Sequence, residues 1–233
     1  MMLELLLALP FMAAALIALL GRLSRAAVAA TAAAAAIGGL VLLILLLPRV
    51  ANGGIPEVSW PWVPYLGLAF SLRLDGLAWA FAAMVLAIGA LVILYAHYYL
   101  SQRDSAPRFF AYLMLFMGAM LGMVLAGDLL LLVVFWELTS ISSFLLIGYW
   151  TGREDAREGA RMALTITAAG GLALLGGVLL IGRIVGSFEL DAVLAAGPTL
   201  RAHAAYPWVL GLVLTGVFTK SAQVPFHFWL PHA

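Results

Sequence analysis

Apolar positions in this chain come in long unbroken runs, not in the alternating or one-faced patterns of soluble folds. Uncharged stretches occupy Leu5–Leu20, Ala26–Leu47, Leu77–Ala96, Phe109–Gly127 and Met162–Gly182, and most reach the roughly 20 residues that a helix needs to cross a bilayer. Leu129–Trp150 and Ala204–His232 also qualify, apart from an ionisable residue deep inside each and the prolines of the second. The pattern predicts an all-α polytopic membrane protein with about seven transmembrane helices, the seventh broken near Pro225. Met1–Gly21 has no basic start and no small-residue cleavage pattern, so it reads as helix one and not as a signal peptide.

The runs divide the chain. Residues 1–48 hold helices one and two, whose alanines allow close helix approach where lipid supplies no hydrophobic drive. Residues 49–75 read as an extracytoplasmic loop, with interfacial rings and prolines in "SWPWVPY". Within it Leu66, Leu68, Phe70, Leu72 and Leu74 alternate with smaller or polar residues, a period of two that predicts a short surface β-hairpin. Residues 76–233 carry the remaining helices. Helix six shows small residues at Ala169, Ala173 and Gly177, a stripe suited to tight packing, and the loop after it, Val185–Ala204, is expected to hold a short surface helix.

Composition sharpens the class. Of 233 residues 65% are hydrophobic and only 10% charged, and the mean hydropathy is +1.11, far from the balance of a soluble domain. The chain has no cysteine, so disulfides, thiolate metal sites and iron–sulfur ligation are excluded, and no Gly-rich phosphate loop opens a helix. No metal, cofactor or nucleic-acid site is expected, and any coupled redox chemistry belongs to a partner. The net charge of +1 says little, but its placement gives an orientation. Loops after helices one, three and five hold Arg22, Arg25, Arg103, Arg108, Arg153, Arg157 and Arg161; those after two, four and six hold Arg49, Arg73, Arg183 and Arg201. The basic excess marks the cytoplasmic side of a bacterial-type cell membrane and places the N-terminus outside.

Two residues break the apolar rule. Glu137 lies eight positions after Leu129 and thirteen before Trp150, with no short snorkelling path to water. A charge at a helix centre costs about 2.5–3.5 kcal/mol by insertion scales, which the surrounding Leu, Val and Phe can outweigh, but it needs a partner. Lys220, sixteen residues into the last apolar run, is the candidate. It is the only lysine among twelve basic residues. A desolvated lysine amine can release its proton whereas a guanidinium cannot, so a proton path would demand lysine here. An arginine-rich codon bias is the competing explanation.

If the last helix continued, Gln223 and His227 would share the face of Lys220. Pro225 and Pro231 interrupt it, leaving the carbonyls of Ser221 and His227 without helical donors. Non-helical backbone at membrane depth is tolerated where it is buried in protein or lines a wet cavity, and transporters place ion sites at such breaks. Ser140, three residues after Glu137, is the one hydroxyl of its helix on the same face, while Thr139, Ser142 and Ser143 are expected to satisfy carbonyls of their own helix. His227 serves equally well as an interfacial group among Phe226, Phe228 and Trp229 or as a relay. His97 reads as interfacial, and Asp128 as a turn before helix five.

The stretches "FWELTSISSFLLIGYW" and "TKSAQVPFHFWLPHA" resemble the signature helices of the large, A-type component of Mrp-type sodium/proton antiporters, and less closely the antiporter-like subunits of respiratory complex I. "SLRLDGLAWAFAAMVLAIGALVILYAHYYL" is similar to the family's N-terminal block, and the likeness runs from about Trp60 onward. It implies that residues 76–233 are the N-terminal block of a proton-translocating antiporter domain and that Glu137 and Lys220 translocate protons. His227 matches a polar position after the helix break, and Leu129 departs from the family's usual asparagine. The family carries a second, inverted half, so the chain would be a truncation, a fragment or one piece of a split subunit.

The residues and the resemblance together point to a proton-conducting subunit of a multi-subunit monovalent cation (sodium)/proton antiporter, a secondary transporter and not an enzyme. Its expected partners are the other subunits, membrane lipid, protons and sodium. Glu137 and Lys220 form the expected relay pair, with Ser140, Gln223 and His227 organising the pathway and Pro225 and Pro231 breaking the helix. A proton-pumping subunit of a complex I-like NADH:quinone oxidoreductase or membrane-bound hydrogenase is the alternative within the same physical class. A non-transporting membrane scaffold is the alternative of another class, though a scaffold gains nothing from broken backbone beside Lys220.

Overall fold

The computed structural model describes residues 1–19, 24–63 and 68–233. Gly21, Arg22 and Leu66, named above, lie outside the described residues, as do Leu20 at the end of the first apolar run and the Pro64–Tyr65 end of the aromatic loop. Nine α-helices, two strands and a closing 3-10 helix follow one another among the described residues. Six of the helices are long and apolar enough to cross a membrane, which makes the chain a multi-pass, all-α membrane protein.

The expected seventh span is not among those six. α9, Tyr206–Lys220, has 15 residues. At 1.5 Å per residue it extends about 22 Å, short of the roughly 30 Å hydrocarbon core.

Two compact units divide the chain. The first comprises Met1–Val58 and Leu72–Leu125 and holds α1 (Met2–Leu19), α2 (Arg25–Ala51), α3 (Gly76–Tyr99) and α4 (Ala106–Leu125). Their core is apolar throughout, with Leu6, Ile17, Leu43, Leu86, Phe110, Met114 and Leu121 fully buried. α2 turns one face inward, with Val28, Ala29, Ala32, Ala35, Ala36 and Gly39 on it, while Ala26, Ala30, Ala34 and Ala51 are exposed. α3 starts where Asp75 accepts a hydrogen bond from the Ala78 amide at 2.8 Å, and Arg73 donates to the same carboxylate at 3.0 Å. Strands β1 (Glu57–Val63) and β2 (Leu68–Arg73) form a two-stranded sheet.

The second unit, Ser59–Ser71 and Ala126–Ala233, holds α5 (Leu129–Ile147), α6 (Glu154–Val185), the short α7 (Leu190–Ala195) and α8 (Gly197–Ala202), α9 and the 3-10 helix (Phe226–His232). α6 is its axis, with α5 and α9 packed on it around Val133, Leu174 and Val178. The buried face of α6 runs through Ala163, Thr167, Gly170, Gly171, Leu174 and Gly177. The expected small-residue stripe holds at Gly177, where a Cβ would stand 2.8 Å from Val213 Cγ2, and fails at its other end. Ala169 is exposed, and the helices meet at the Gly170–Gly171 pair.

Candidate functional site

Asp128 is more than a turn residue. Its buried carboxylate accepts from the amides of Leu130 (2.8 Å) and Leu131 (3.1 Å), satisfying two of the donors that the start of α5 leaves open. A short backbone bridge fixes this corner, with Leu129 N donating to Phe188 O and Leu190 N to Gly127 O, both at 2.9 Å. From that anchor α5 carries Trp136, Glu137 and Ser140 past α6.

α9 supplies Lys220 as its last residue. The helix stops there, five residues before Pro225, because Ser221 caps it and Ala222 takes a left-handed conformation with φ of 51°. Gln223 N then donates back to Phe218 O at 2.9 Å, the six-residue closure of a Schellman motif. Two more of the last carbonyls have donors: Val217 O accepts from Ser221 N and Oγ, and Thr219 O from the Trp229 indole at 3.0 Å. The helix break thus precedes Pro225 and Pro231, and Pro231 lies within the 3-10 helix.

Lys220 reaches α5. Its Nζ donates to Ser140 Oγ at 2.7 Å and to Trp136 O at 3.3 Å, and sits 5.6 Å from the centre of the Trp136 ring. Ser140 is buried and Lys220 half-buried. Thr139 Oγ1 also donates to Trp136 O, at 2.6 Å, and Ser142 Oγ to Leu138 O at 2.7 Å, both within α5. The carbonyl of Trp136 is therefore a shared acceptor.

Glu137 turns toward α6. A Cβ built on Gly171 would fall on its Oε1 and stand 2.6 Å from its carboxyl carbon, so the absence of a side chain at 171 is what gives the carboxylate its place. That Oε1 is buried and has no hydrogen-bond partner among the described residues, and the same holds for Trp136 Nε1. Among the described residues Glu137 and Lys220 do not close a direct ion pair; the ion pairs lie elsewhere. Each charge is instead seated separately, the lysine on neutral oxygens of α5 and the carboxylate against glycine.

Thr219, one residue before Lys220, is buried against Gly170, and Gly216 lies so close to α6 that a Cβ there would stand 2.7 Å from that of Leu174. These contacts fix how far the end of α9 stands from Glu137. Of the residues expected at the site, Glu137, Ser140 and Lys220 share one unit and one helix trio. Gln223 and His227 do not join them: the helix ends before either, both are exposed, and no side-chain hydrogen bond links them to Lys220 among the described residues. Trp136, Gly170, Gly171 and Thr219 went unnoticed in the sequence; the adjacent glycines in a transmembrane run were their one visible signal.

Residues 126–233 match a family described as NADH:quinone oxidoreductase/Mrp antiporter, TM, and residues 60–110 match one described as NADH-Ubiquinone oxidoreductase (complex I), chain 5 N-terminus. Each match takes in less than half of the chain, and together they make most of it similar to membrane subunits of the NADH:quinone oxidoreductase and Mrp antiporter group. The chain has curated relatives of the same kind. It is 63% identical over 188 residues to the A/B component of a probable K(+)/H(+) antiporter of Rhizobium meliloti, covering 81% of this chain and 19% of the relative. It is 46% identical over 184 residues to the A component of the Na(+)/H(+) antiporter of Alkalihalophilus pseudofirmus, covering 78% and 23%. The chain therefore spans about a fifth to a quarter of the length of these curated relatives. Among solved structures, the Mrp complex from Dietzia sp. DQ12-45-1b contains a chain that superposes on all of this one with a TM-score of 0.87 at 35% identity, over 25% of its own length. An archaeal membrane-bound sulfane sulfur reductase superposes with a TM-score of 0.81 over all of this chain and 36% of that chain; at 22% identity this likeness speaks for the fold alone.

Proposed function

We propose that this chain works as the N-terminal part of a proton-conducting subunit in a multi-subunit monovalent cation/proton antiporter of the cell membrane. Glu137 and Lys220 are its intramembrane proton carriers. The observation that carries the reading is the seating of Lys220 Nζ on Ser140 Oγ and Trp136 O while the buried Glu137 Oε1, in the same unit, lacks a partner. Two ionisable groups that are not locked to each other are able to exchange protons with other groups, whereas a locked pair is not. The names of the relatives support an antiporter assembly with other subunits, and the cation is a potassium or sodium ion by the same names. The excess of arginine in the first, third and fifth loops supports an N-terminus on the outside, which puts the loop of residues 49–75, with strands β1 and β2, on the extracytoplasmic face.

The test is Glu137→Gln in the assembled complex, read as pH-gradient dissipation in everted vesicles on addition of sodium or potassium. Loss of exchange with normal recovery of the complex supports the relay, and exchange at the wild-type rate makes Glu137 structural. The complex I-like reading is kept by the family descriptions. It requires proton movement driven by quinone or ferredoxin turnover and not by cation addition.

A further inference from the structure

Within the first unit, a groove of about 470 Å³ runs between α2 and α3, lined by Ala26, Ala30, Ala33 and Ile37 on one side and Leu94 and His97 on the other. Its walls are apolar except at one end. There His97 contributes an Nδ1 that is buried without a hydrogen-bond partner. At the same end Arg25, the first residue of α2, spans to the end of α3 and donates to Leu100 O (2.7 Å) and Ser101 O (2.6 Å). Those bonds use two of the five guanidinium donors and fix the cation beside the groove mouth. Arg103, on the α3–α4 connection, and Arg108, in the first turn of α4, are exposed farther along the chain, with Asp104 the one acid of that connection.

We infer that this groove binds an anionic phospholipid, one acyl chain lying along Ala26–Ile37 and the headgroup phosphate at Arg25 and His97. Charge and size argue for this occupant. Ala26 and Ile37 are eleven residues apart, about 16 Å along the helix axis. A volume of about 470 Å³ over that length leaves a cross-section of roughly 30 Å², well under half that of a helix of 10–12 Å diameter. A partner helix could lie over the groove but not fill it, whereas an acyl chain fills it. The basic end supplies what a phosphate needs, since His97 Nδ1 can donate to an oxygen and Arg25 adds fixed positive charge. Basic pockets between transmembrane helices on the cytoplasmic side bind anionic headgroups by this means. The choice of leaflet rests on the orientation proposed above; the binding site does not.

The experiment uses the assembled complex, exchanged in detergent with phosphatidylglycerol or phosphatidylcholine and read by native mass spectrometry for retained lipid. Phosphatidylglycerol is expected to be retained in preference to phosphatidylcholine. Ala33→Phe, which fills the groove, should cut retention at least tenfold, the equivalent of about two displaced methylenes. Arg25→Gln should cut it about fivefold, and Arg25→Lys should keep it. If Ala33→Phe fails to assemble, the milder Ala30→Leu and the Arg25 pair carry the test. Equal retention of both lipids would overturn the headgroup site, and retention unchanged in the filled groove would mark belt lipid only. Release by free inorganic phosphate would overturn the chain placement. Loss of a subunit with the lipid count unchanged would give the groove to a partner helix.

Discussion

Gly171→Ala tests the geometry of the site through one methyl group. The new Cβ would fall on Glu137 Oε1 and stand 2.6 Å from its carboxyl carbon and 3.3 Å from Oε2. Carbon atoms rest at about 3.5–4.0 Å, so the carboxyl must withdraw by about 1 Å or the helices must part. Overpacking of this kind costs about 1–3 kcal/mol. If Glu137 hands on a proton as proposed, a displacement of about 1 Å can lower the rate on the order of a hundredfold. Gly176→Ala is the matched control on the same helix, because its Cβ would meet only Leu212 Cδ1 at 3.6 Å, an ordinary contact. It should be neutral or slightly stabilising by helix propensity.

A second variant separates crowding from any other effect at 171. Glu137→Asp withdraws the carboxylate by one methylene and leaves room for the methyl, so the double variant should lose less stability than the two single variants added, by about 1 kcal/mol. Thermal unfolding of the purified complex and exchange in everted vesicles are the two readouts. Wild-type stability and exchange in Gly171→Ala would refute the placement of the Glu137 carboxylate against α6. Lost stability with full exchange would refute the need for the carboxylate to hold that position.

Lys220→Arg keeps the charge and can still donate to Ser140 and Trp136, but guanidinium does not release a proton at usable pH; assembly near normal and exchange as low as in Lys220→Ala is expected from vesicle assays, and near-normal exchange would leave a static role. Ser140→Ala removes the 2.7 Å acceptor of Lys220 and should slow exchange about tenfold or more, the equivalent of a charged hydrogen bond of about 1.5–3 kcal/mol, while the complex is recovered intact. Asp128→Ala should lower stability by about 1–2 kcal/mol in thermal unfolding through loss of both amide bonds at the start of α5, whereas Asp128→Asn keeps most of it.

The spans were legible because a bilayer forces roughly 20 apolar residues into one run, and few other structures use such a run. Glu137 and Lys220 were legible for the same reason, as exceptions that a membrane penalises. The end of α9 was not. A helix that closes through a left-handed residue usually shows glycine there, and this chain has Ala222, so the prolines drew attention five and eleven residues too late. With the helix assumed to continue, Gln223 and His227 fell on the face of Lys220; with it ended, they do not. Of the stripe expected on α6, Gly177 lies on the buried face, whereas Ala169 falls one residue short of the Gly170–Gly171 pair, because alanine and glycine read alike as small although only glycine admits Glu137 and Thr219 at the observed distance.

The position of Lys220 at a helix end bears on what the residue can do. A lysine in mid-helix would find every neighbouring carbonyl of its own helix already bonded. At the end of α9 the backbone turns away, and the amine extends to acceptors of α5 that are one oxygen of the main chain and one hydroxyl. Neither acceptor is charged, so the ammonium is held by bonds that cost less to exchange than a buried ion pair, whose rupture runs to about 3–5 kcal/mol. A site built only to hold helices together gains most from closing Glu137 on Lys220, because a buried carboxylate oxygen without a partner is costly. The chain leaves that bond unmade and spends glycines at 170 and 171 to keep the two helices in place around it. Such an arrangement leaves the carboxylate and the amine unpaired with each other, which fits the proposed relay better than a static brace.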